Sequence, residues 1–221
     1  MSMRIYTMTH KKFTPLPDPL YVPLHVGRAC GENLGYLGDD AGEQISALNC
    51  YYSELTGFYW IWKNCHDADY VGTCHYRRYL INEKEQIYTE KEYRELLRKY
   101  DLVTTKKVLL NNSYYDGFLA NHNIRALEMT GKVITEKYPE YADAFEQLVN
   151  GRQTYFGNIL VTSKILFDEY ASWLFSIFFE VAERIELETG EDAYHKRVFG
   201  FISEFLLLVW VTVKKLRVYE C

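Results

Sequence analysis

The chain has 221 residues, of which 48% are hydrophobic and 25% charged, a composition typical of a globular protein with a sizeable core. Its formal net charge of -5 argues against a nucleic-acid-binding protein, which normally carries a basic excess. The cysteines show no C-x-x-C pair, so neither a zinc knuckle nor a disulfide framework is indicated. They are Cys30, Cys50, Cys65, Cys74 and Cys221.

No export signal or membrane span is evident in the sequence. The N-terminus lacks the apolar run of a signal peptide. The apolar stretch 198–213 is short and contains Glu204. We therefore expect a cytoplasmic protein, with peripheral contact at the cytoplasmic face of the inner membrane left open, and the oligomeric state is not indicated.

A first strand is predicted over residues 4–8, and a polar basic loop follows it at once. That loop contains Thr9, His10 and Lys11, which we assign to nucleotide binding because loops after N-terminal strands often contact nucleotides in α/β folds. An ordinary polar turn is the alternative. A proline-rich segment then leads into a short strand over residues 21–26.

Three acids lie between glycines in the segment that follows, residues 33–46. Asp39, Asp40 and Glu43 could bind sugar or ribose hydroxyls, or hold a divalent cation through carboxylate oxygens. An acidic surface turn is the alternative. We assign all three to binding these hydroxyls and keep Asp39 and Asp40 as the alternative metal ligands.

A helix over residues 49–64 is predicted from its aromatic stripe, with Glu54 and Lys63 on a solvated face. The next strand, residues 70–74, runs directly into His75, Tyr76, Arg77 and Arg78. Guanidinium groups suit phosphate or carboxylate, and strand ends in open α/β sheets bind ligands, so these four residues are predicted to contact an anion.

The remaining chain alternates between helical and strand patterns. His122 lies in a helical region between residues 111 and 134 and is a candidate base, with a structural role as the alternative. Glu204 lies within an apolar helix, so it must contact a partner or have a raised pKa, and it is the second candidate base.

Helices are predicted at 90–100, 139–148, 163–188 and 199–215, and strands at 101–105 and 155–162. Gly190 and Glu191 are predicted to end the helix 163–188.

Five blocks of sequence, in order, resemble a known bacterial family. They are I-Y-T-M-T-H-K-K, L-G-Y-L-G-D-D-A-G-E-Q-I-S, Y-Y-S-E-L-T-G-F-Y-W-I-W-K-N, D-Y-V-G-T-C-H-Y-R-R-Y and N-I-L-V-T-S-K-I-L-F-D-E-Y. Together they are similar to the glycosyltransferase-like family known as domain of unknown function 4422, whose members resemble capsular-polysaccharide and exopolysaccharide glycosyltransferases. The resemblance runs from about residue 5 to residue 210.

This resemblance implies a GT-A-like (Rossmann-like) α/β fold, with a mixed sheet flanked by helices and a helical C-terminal part. We expect a single domain, with a nucleotide-sugar-binding core over about residues 1–162 and C-terminal helices over about 163–221 packing on it. The ligand of the residues selected above is then the nucleotide-sugar donor, and Asn158, in the strand 155–162, is also assigned to donor binding. The donor-binding residues are Thr9, His10, Lys11, Asp39, Asp40, Glu43, His75, Tyr76, Arg77, Arg78 and Asn158.

The resemblance also implies sugar transfer from a nucleotide-sugar donor to a glycan or lipid-linked glycan acceptor, in capsule, exopolysaccharide or O-antigen synthesis. A non-catalytic nucleotide-sugar or carbohydrate-binding subunit of an assembly complex is the alternative. No metal cofactor is favoured, because basic residues occupy the place of the usual D-x-D, and Mg²⁺ or Mn²⁺ is the alternative.

The sequence departs from the family pattern at a few positions. Phe205 stands where members usually carry Arg, and Gly157 stands where they usually carry Tyr. We further expect Asp39 and Asp40 to line the same cleft as Arg77 and Arg78.

Overall fold

The protein is built on a mixed sheet, and the computed structural model describes residues 2–187 and 192–221. Within those residues, seven strands form the main sheet and two form a small antiparallel ribbon. The strands are β1 (Met3–Thr9), β2 (Tyr21–His25), β3 (Leu37–Gly38), β4 (Tyr70–His75), β5 (Leu102–Thr104), β6 (Val108–Leu109), β7 (Gln153–Thr154), β8 (Leu160–Ser163) and β9 (Val218–Glu220).

The order across the main sheet is β3-β2-β1-β4-β8-β5-β9. Strands β1 to β4 are parallel to one another, β8 is antiparallel to both β4 and β5, and β9 is parallel to β5. The chain builds outward from β1 to β3 and then returns to place β4 on the other side of β1. Such a reversal opens a crevice at the carboxyl ends of the two central strands, where α/β proteins bind ligands.

The helices cover the sheet unequally. In the described residues they are α1 (Asn49–Tyr52), α2 (Leu55–Asn64), α3 (Glu90–Leu97), α4 (Tyr114–Asn121), α5 (Ile124–Lys137), α6 (Ala142–Val149), α7 (Lys164–Arg184), α8 (Ala193–Lys196) and α9 (Val198–Val213). The larger core joins one face of the sheet to α2, α5, α7 and α9, while α3 packs on the other face.

Strand β1 shows why both faces are covered. Tyr6 and Met8 enter the larger core, whereas Met3 and Ile5 enter the smaller one, as the two-residue period of a strand requires. A strand buried on both faces is typical of a parallel sheet between helical layers. The predicted fold class, a mixed α/β sheet flanked by helices with a helical C-terminal part, is thus confirmed.

The two long C-terminal helices pack against each other. The Tyr170 hydroxyl of α7 donates to the Ser203 carbonyl of α9 at 3.3 Å, and Tyr170 packs against Trp210 with ring centroids 5.1 Å apart. Helix α7 begins where predicted. Ser163 is its N-cap residue, since the Ser163 hydroxyl accepts a hydrogen bond from the Leu166 N–H. This packing fixes α9 beside the carboxyl ends of β1 and β4.

Several predicted bounds are wrong. The helix predicted over residues 49–64 is broken at Ser53, whose φ of 50° is left-handed, so α1 and α2 are separate. The strand predicted over 155–162 begins only at Leu160, because residues 157 and 158 both have positive φ. Helix α7 ends at Arg184, and the predicted stop at Gly190 and Glu191 lies outside the described residues.

The strand β9 was not predicted, although it closes one edge of the sheet against β5. Its three residues are too few to show a period in the sequence. Within the described ranges, no helix combines the length and apolar character needed to cross a bilayer.

The central position of Gly72 in β4 yields a first prediction. A Cβ atom there would lie 2.7 Å from Val161 Cγ2 and 3.0 Å from the Leu160 carbonyl oxygen. We expect Gly72→Ala to lower the free energy of unfolding by about 1–3 kcal/mol, the scale of overpacking a core. Urea denaturation measures this change.

Gly117→Ala in α4 is the matched control, since a Cβ there would meet no atom within 4 Å. We expect it to raise the free energy of unfolding by about 0.4–1 kcal/mol, because alanine restricts the unfolded chain. Equal stability of Gly72→Ala and the unaltered protein would contradict close packing between β4 and β8.

Candidate active site

A tight turn at the end of β4 presents the predicted basic cluster. The His75 N–H donates to the Arg78 carbonyl at 3.1 Å, and the Arg78 N–H donates to the His75 carbonyl at 2.9 Å. Tyr76 and Arg77 therefore lie at its tip, where the Tyr76 N–H donates to the Met8 carbonyl at 3.1 Å. The turn is thus tied to the end of β1, and the side chains of Arg77 and Arg78 are exposed.

This turn borders a cleft of about 740 Å³ at the carboxyl ends of β1 and β4. The starts of α2 and α9 form its other walls. Because β8 runs antiparallel to β4, the residues just before β8 also reach this edge. Its lining includes Thr9, His10, Ser53, Glu54, His75, Tyr76, Arg77, Arg78, Gly157, Tyr194, Arg197, Phe201 and Glu204.

Three arginines give the cleft a cationic side. Within residues 2–187 and 192–221, Arg77, Arg78 and Arg197 form no ion pair with a carboxylate. The Arg77 guanidinium lies 4.9 Å from the Tyr76 ring centroid, and that of Arg197 lies 5.2 Å from the Tyr194 ring centroid. Guanidinium groups held by aromatic rings and free of carboxylates are well suited to bind an anion.

His10 is a neutral group beside these cations. Burial lowers its pKa from the ordinary value of 6.5, and the nearby charges of Lys11, Arg77 and Arg197 lower it further. Its ring packs edge-on against Tyr76 at 5.7 Å. At neutral pH this histidine can therefore both donate and accept a hydrogen bond to a ligand without adding charge.

Glu204 lines the cleft from α9, the helix that Arg197 precedes. Its Oε1 accepts a hydrogen bond from the Gly157 N–H at 2.6 Å. Burial raises the pKa of the Glu204 carboxyl to about 8, and the negative charge of Glu54 raises it further, against the opposing effects of Gly157, Arg78 and Arg197. The carboxyl group is thus mostly protonated at neutral pH and close to its titration point.

Glu54 is the second carboxylate of the cleft. Its Oε1 accepts from Asn158 Nδ2 at 2.7 Å. The same Nδ2 donates to the Gly200 carbonyl at 3.1 Å, and Asn158 Oδ1 accepts from the Ser203 hydroxyl at 2.9 Å. Asn158 is itself buried and supports the floor of the cleft from beneath.

Two polar atoms in the wall have no hydrogen-bond partner among the described residues. They are the hydroxyl oxygen of Ser53 and Nε2 of His75. Buried polar groups are normally satisfied, so a ligand that fills the cleft would gain from bonding them. The left-handed backbone of Ser53, an uncommon state for serine, places its hydroxyl there.

The structure brings together seven of the residues selected from the sequence. They are Thr9, His10, His75, Tyr76, Arg77, Arg78 and Glu204. Asn158 lies directly beneath them, and Lys11 is exposed in the loop after β1 but does not line the cleft.

Asp39 and Asp40 do not line this cleft, which corrects the expectation that they share it with Arg77 and Arg78. Asp39 has no exposed surface, because its carboxylate accepts from the N–H groups of Gly27 and Arg28 and from the Ser46 hydroxyl. Asp40 forms an ion pair with Arg28, in which Asp40 Oδ1 lies 2.7 Å from Arg28 Nε. Their role is to hold the loop after β2.

The acidic segment also fails to fit a metal ion. Glu43 accepts from the Tyr59 hydroxyl at 2.9 Å and pairs with Lys63 at 3.0 Å, so its carboxylate is bound to α2. In the part of the chain that the structure describes, no group of three His, Cys, Asp or Glu side chains could hold a metal. Both oxygens of the Asp39 carboxylate already accept hydrogen bonds, and the side chain has no exposed surface from which to reach a cation.

His122 lies outside the cleft, behind two of its aromatic side chains. Its ring packs on Phe201 at 4.2 Å and on Tyr194 at 5.6 Å. Burial lowers its pKa to about 4, with His195 and Arg197 adding to the effect. Because it is not among the lining residues, its geometry supports a packing role rather than a catalytic one.

Sequence reasoning missed Glu54 and Arg197. Glu54 was assigned to a solvated helix face, but the break at Ser53 turns it into the cleft. Arg197 precedes the apolar helix α9 without any motif around it. In the sequence, Arg197 is marked only as a basic residue at the start of an apolar helix. Basic residues are common at such positions, so this feature does not single it out as a site residue.

The two departures from the family pattern have different consequences. Phe205 faces the core, where its ring stacks on Tyr114 at 4.3 Å, so this substitution lies away from the cleft. Gly157 has a φ of 95°, a conformation that favours glycine, and its N–H is the donor to Glu204.

Comparisons with known proteins identify a family and a similar structure. A family model described as "Domain of unknown function (DUF4422)" matches residues 4–215. The apo structure of the WbbM bifunctional glycosyltransferase is similar, with 31% sequence identity and a TM-score of 0.88. The match covers 100% of this chain and 44% of that chain, so this chain spans less than half of the relative's length. No curated protein matches this chain.

The raised pKa of Glu204 predicts a pH-dependent stability. Between the ordinary carboxyl pKa of 4.5 and about 8, the folded protein retains a proton that the unfolded chain releases. The free energy of unfolding therefore falls as pH rises through this window. Glutamine cannot ionise, so Glu204→Gln removes the fall in stability that ionisation of Glu204 causes. We therefore expect the Tm of the variant minus the Tm of the unaltered protein to increase from pH 5 to 8 and then level off.

Thermal melting at unit steps of pH measures this difference. Glu95→Gln is the control, because Glu95 is an exposed residue of α3. Its melting curve should run parallel to that of the unaltered protein. A parallel curve for Glu204→Gln as well would show that Glu204 titrates normally.

Proposed function

The chain belongs to the family described as Domain of unknown function (DUF4422), and we propose that it is a glycosyltransferase that moves a sugar from a nucleotide-sugar donor to a glycan acceptor. One observation carries this proposal: three arginines that form no ion pair with a carboxylate of residues 2–187 and 192–221 line a single cleft together with two carboxylates. The similarity to WbbM over the whole of this chain supports it. Since that relative is bifunctional and more than twice as long, the activity itself is part of the proposal.

The cationic side of the cleft suits the diphosphate of a nucleotide-sugar. Arg77 and Arg78 come from the turn after β4, and Arg197 comes from the start of α9, so a diphosphate can be held from two directions. Guanidinium groups remain charged at any working pH and bind phosphate oxygens in pairs. They would stabilise the charge that develops as the diphosphate leaves.

The acidic side suits activation of the acceptor. In the reacting state the ionised Glu204 takes the proton of the acceptor hydroxyl while that oxygen forms a bond to the anomeric carbon. The bond between this carbon and the diphosphate oxygen breaks, and its electron pair leaves with the diphosphate. The arginines then balance the new negative charge, and Glu204 holds the proton until it passes to solvent.

This chemistry requires no metal in the proposal. GT-A-like enzymes commonly hold a divalent cation, but Asp39 and Asp40 are bound to the protein itself and lie outside the cleft. The fixed arginines would supply the positive charge instead.

We extend the proposal to the biological setting. The family resemblance supports a bacterial glycan or lipid-linked glycan as acceptor, in capsule, exopolysaccharide or O-antigen synthesis, with the protein in the cytoplasm or peripheral at the inner membrane. Incubation with a panel of UDP-, GDP-, dTDP- and CMP-sugars, with glycan acceptors present, tests the activity. Binding of a donor without transfer or hydrolysis would favour the alternative of a non-catalytic binding subunit.

The arginines generate the next prediction. Replacing Arg77 or Arg78 by Ala removes a preorganised group that stabilises the leaving diphosphate, so we expect the transfer rate to fall by about 100-fold or more. Lysine at either position should restore part of the loss, because a point charge cannot reproduce a bidentate contact. Arg98→Ala, at an exposed position after α3, is the control and should retain full activity.

Initial rates with the best donor of the panel measure these changes, and circular dichroism checks folding. The opposite pattern would contradict the proposed role of the arginines. In that pattern a chelator abolishes transfer, the arginine variants keep full activity, and Asp39→Asn or Asp40→Asn loses it.

The assignment of Glu204 as base predicts the pH dependence of turnover. Because kcat/KM reports ionisations of the free enzyme, it should rise with pH and level off above the Glu204 pKa of about 8. Glu204→Gln should lose about 100-fold to 10,000-fold in rate, the usual scale for a general base. A profile that is flat from pH 6 to 9 would rule out Glu204 as the base.

A further inference from the structure

Two consecutive residues before β8 hold both carboxylates of the cleft. Gly157 and Asn158 have φ values of 95° and 48°, so the chain turns sharply there. The backbone N–H of Gly157 binds Glu204 of α9, while the side chain of Asn158 binds Glu54 at the start of α2. One short turn therefore sets the positions of two acids from two separate helices.

Asn158 is fixed on every side. Its carbonyl accepts from the Thr73 hydroxyl of β4 at 2.9 Å, and its side chain contacts α9 through Gly200 and Ser203. Asparagine tolerates the left-handed conformation better than most residues, but the conformation is still uncommon. Asn158 is buried, its side chain forms three hydrogen bonds, and one of these directs its amide at Glu54.

We propose that Glu54 and Glu204 act as a pair on the acceptor sugar, and that Asn158 is a positioning residue that acts through Glu54. In this arrangement Glu54 binds a hydroxyl of the acceptor, and Glu204 removes the proton of the hydroxyl that attacks. This inference rests on the proposed function. It assigns Asn158 a different role from direct contact with the donor, because the residue is buried beneath the cleft.

The charges around Glu204 make the pair testable without any substrate. Glu54 faces it from the junction of α1 and α2, Arg78 from the turn after β4, Arg197 from the start of α9, and the buried phenol of Tyr114 from α4. Of these groups, Glu54 raises the Glu204 pKa and the two arginines lower it. Removing the charge of Glu54 should therefore lower the Glu204 pKa.

The first experiment follows the ¹³C carboxyl resonance of Glu204 against pH in labelled protein. We expect Glu54→Gln to shift its titration to lower pH, whereas Glu95→Gln leaves it unchanged. An unchanged titration in Glu54→Gln would overturn the pairing of the two acids.

The second experiment is a double-mutant cycle on kcat/KM. Asn158→Gly removes the side chain and still permits a positive φ, so it avoids the backbone strain of an alanine. We expect Glu54→Gln and Asn158→Gly each to lower kcat/KM at least tenfold, and the double variant to be no worse than Glu54→Gln. A loss in the double variant equal to the product of the two single losses would overturn the positioning role, since it would show that Asn158 acts independently of Glu54.

Ser203→Ala provides a second probe of the same coupling if Asn158→Gly does not fold. It removes the hydroxyl that donates to Asn158 Oδ1, and its loss should likewise vanish in a Glu54→Gln background. The two experiments separate the proposals. If Glu54→Gln shifts the titration of Glu204 but no donor supports sugar transfer, the proposed function and the acceptor role of Glu54 are overturned. If transfer occurs but the losses in kcat/KM of Glu54→Gln and Asn158→Gly multiply in the double variant, only the role of Asn158 is overturned.

Discussion

The parallel pairing of β1 with β4 is the constraint on which the site depends. The register runs from Met3 opposite Tyr70 to Met8 opposite His75, so both strands end at the same level. Their polar continuations are forced to lie side by side, although they are far apart in the chain. The hydrogen bond from Tyr76 to Met8 then locks the basic turn onto the end of β1. Without this register, His10 and Arg77 would not meet.

The cleft draws its charged side chains from separate parts of the chain. Arg77 and Arg78 come from the end of a strand, whereas Glu54, Arg197 and Glu204 come from helix segments. Burial raises the pKa of Glu204, and the nearby arginines only partly offset this rise. A cleft that combines fixed cations with a carboxylate of raised pKa can bind an anionic leaving group and deprotonate a neutral nucleophile at the same time.

Residues outside the cleft are as necessary as those that line it. Asp39 was selected as a ligand-binding acid, yet it organises the loop after β2 through backbone N–H groups. Asn158, which is buried beneath the cleft, holds Glu54 through its side chain. Glycine-flanked acids look alike in a sequence whether they face solvent or the protein, because composition does not encode the direction of a side chain.

The sequence determined the fold class through its resemblance to a family, which rests on five blocks spread along the chain. By itself it also determined the strand that ends in His75–Arg78 and the anomaly of Glu204 in an apolar helix. These last two features are local, since hydrophobic period and a buried charge can be recognised within a dozen residues. Tertiary structure alone decided that Glu54 and Arg197 join the site, that Asp39 leaves it, and that β9 completes the sheet. Those outcomes depend on contacts between distant segments and on the left-handed backbone at Ser53 and Asn158, which are stable only once the surrounding helices and strands have packed.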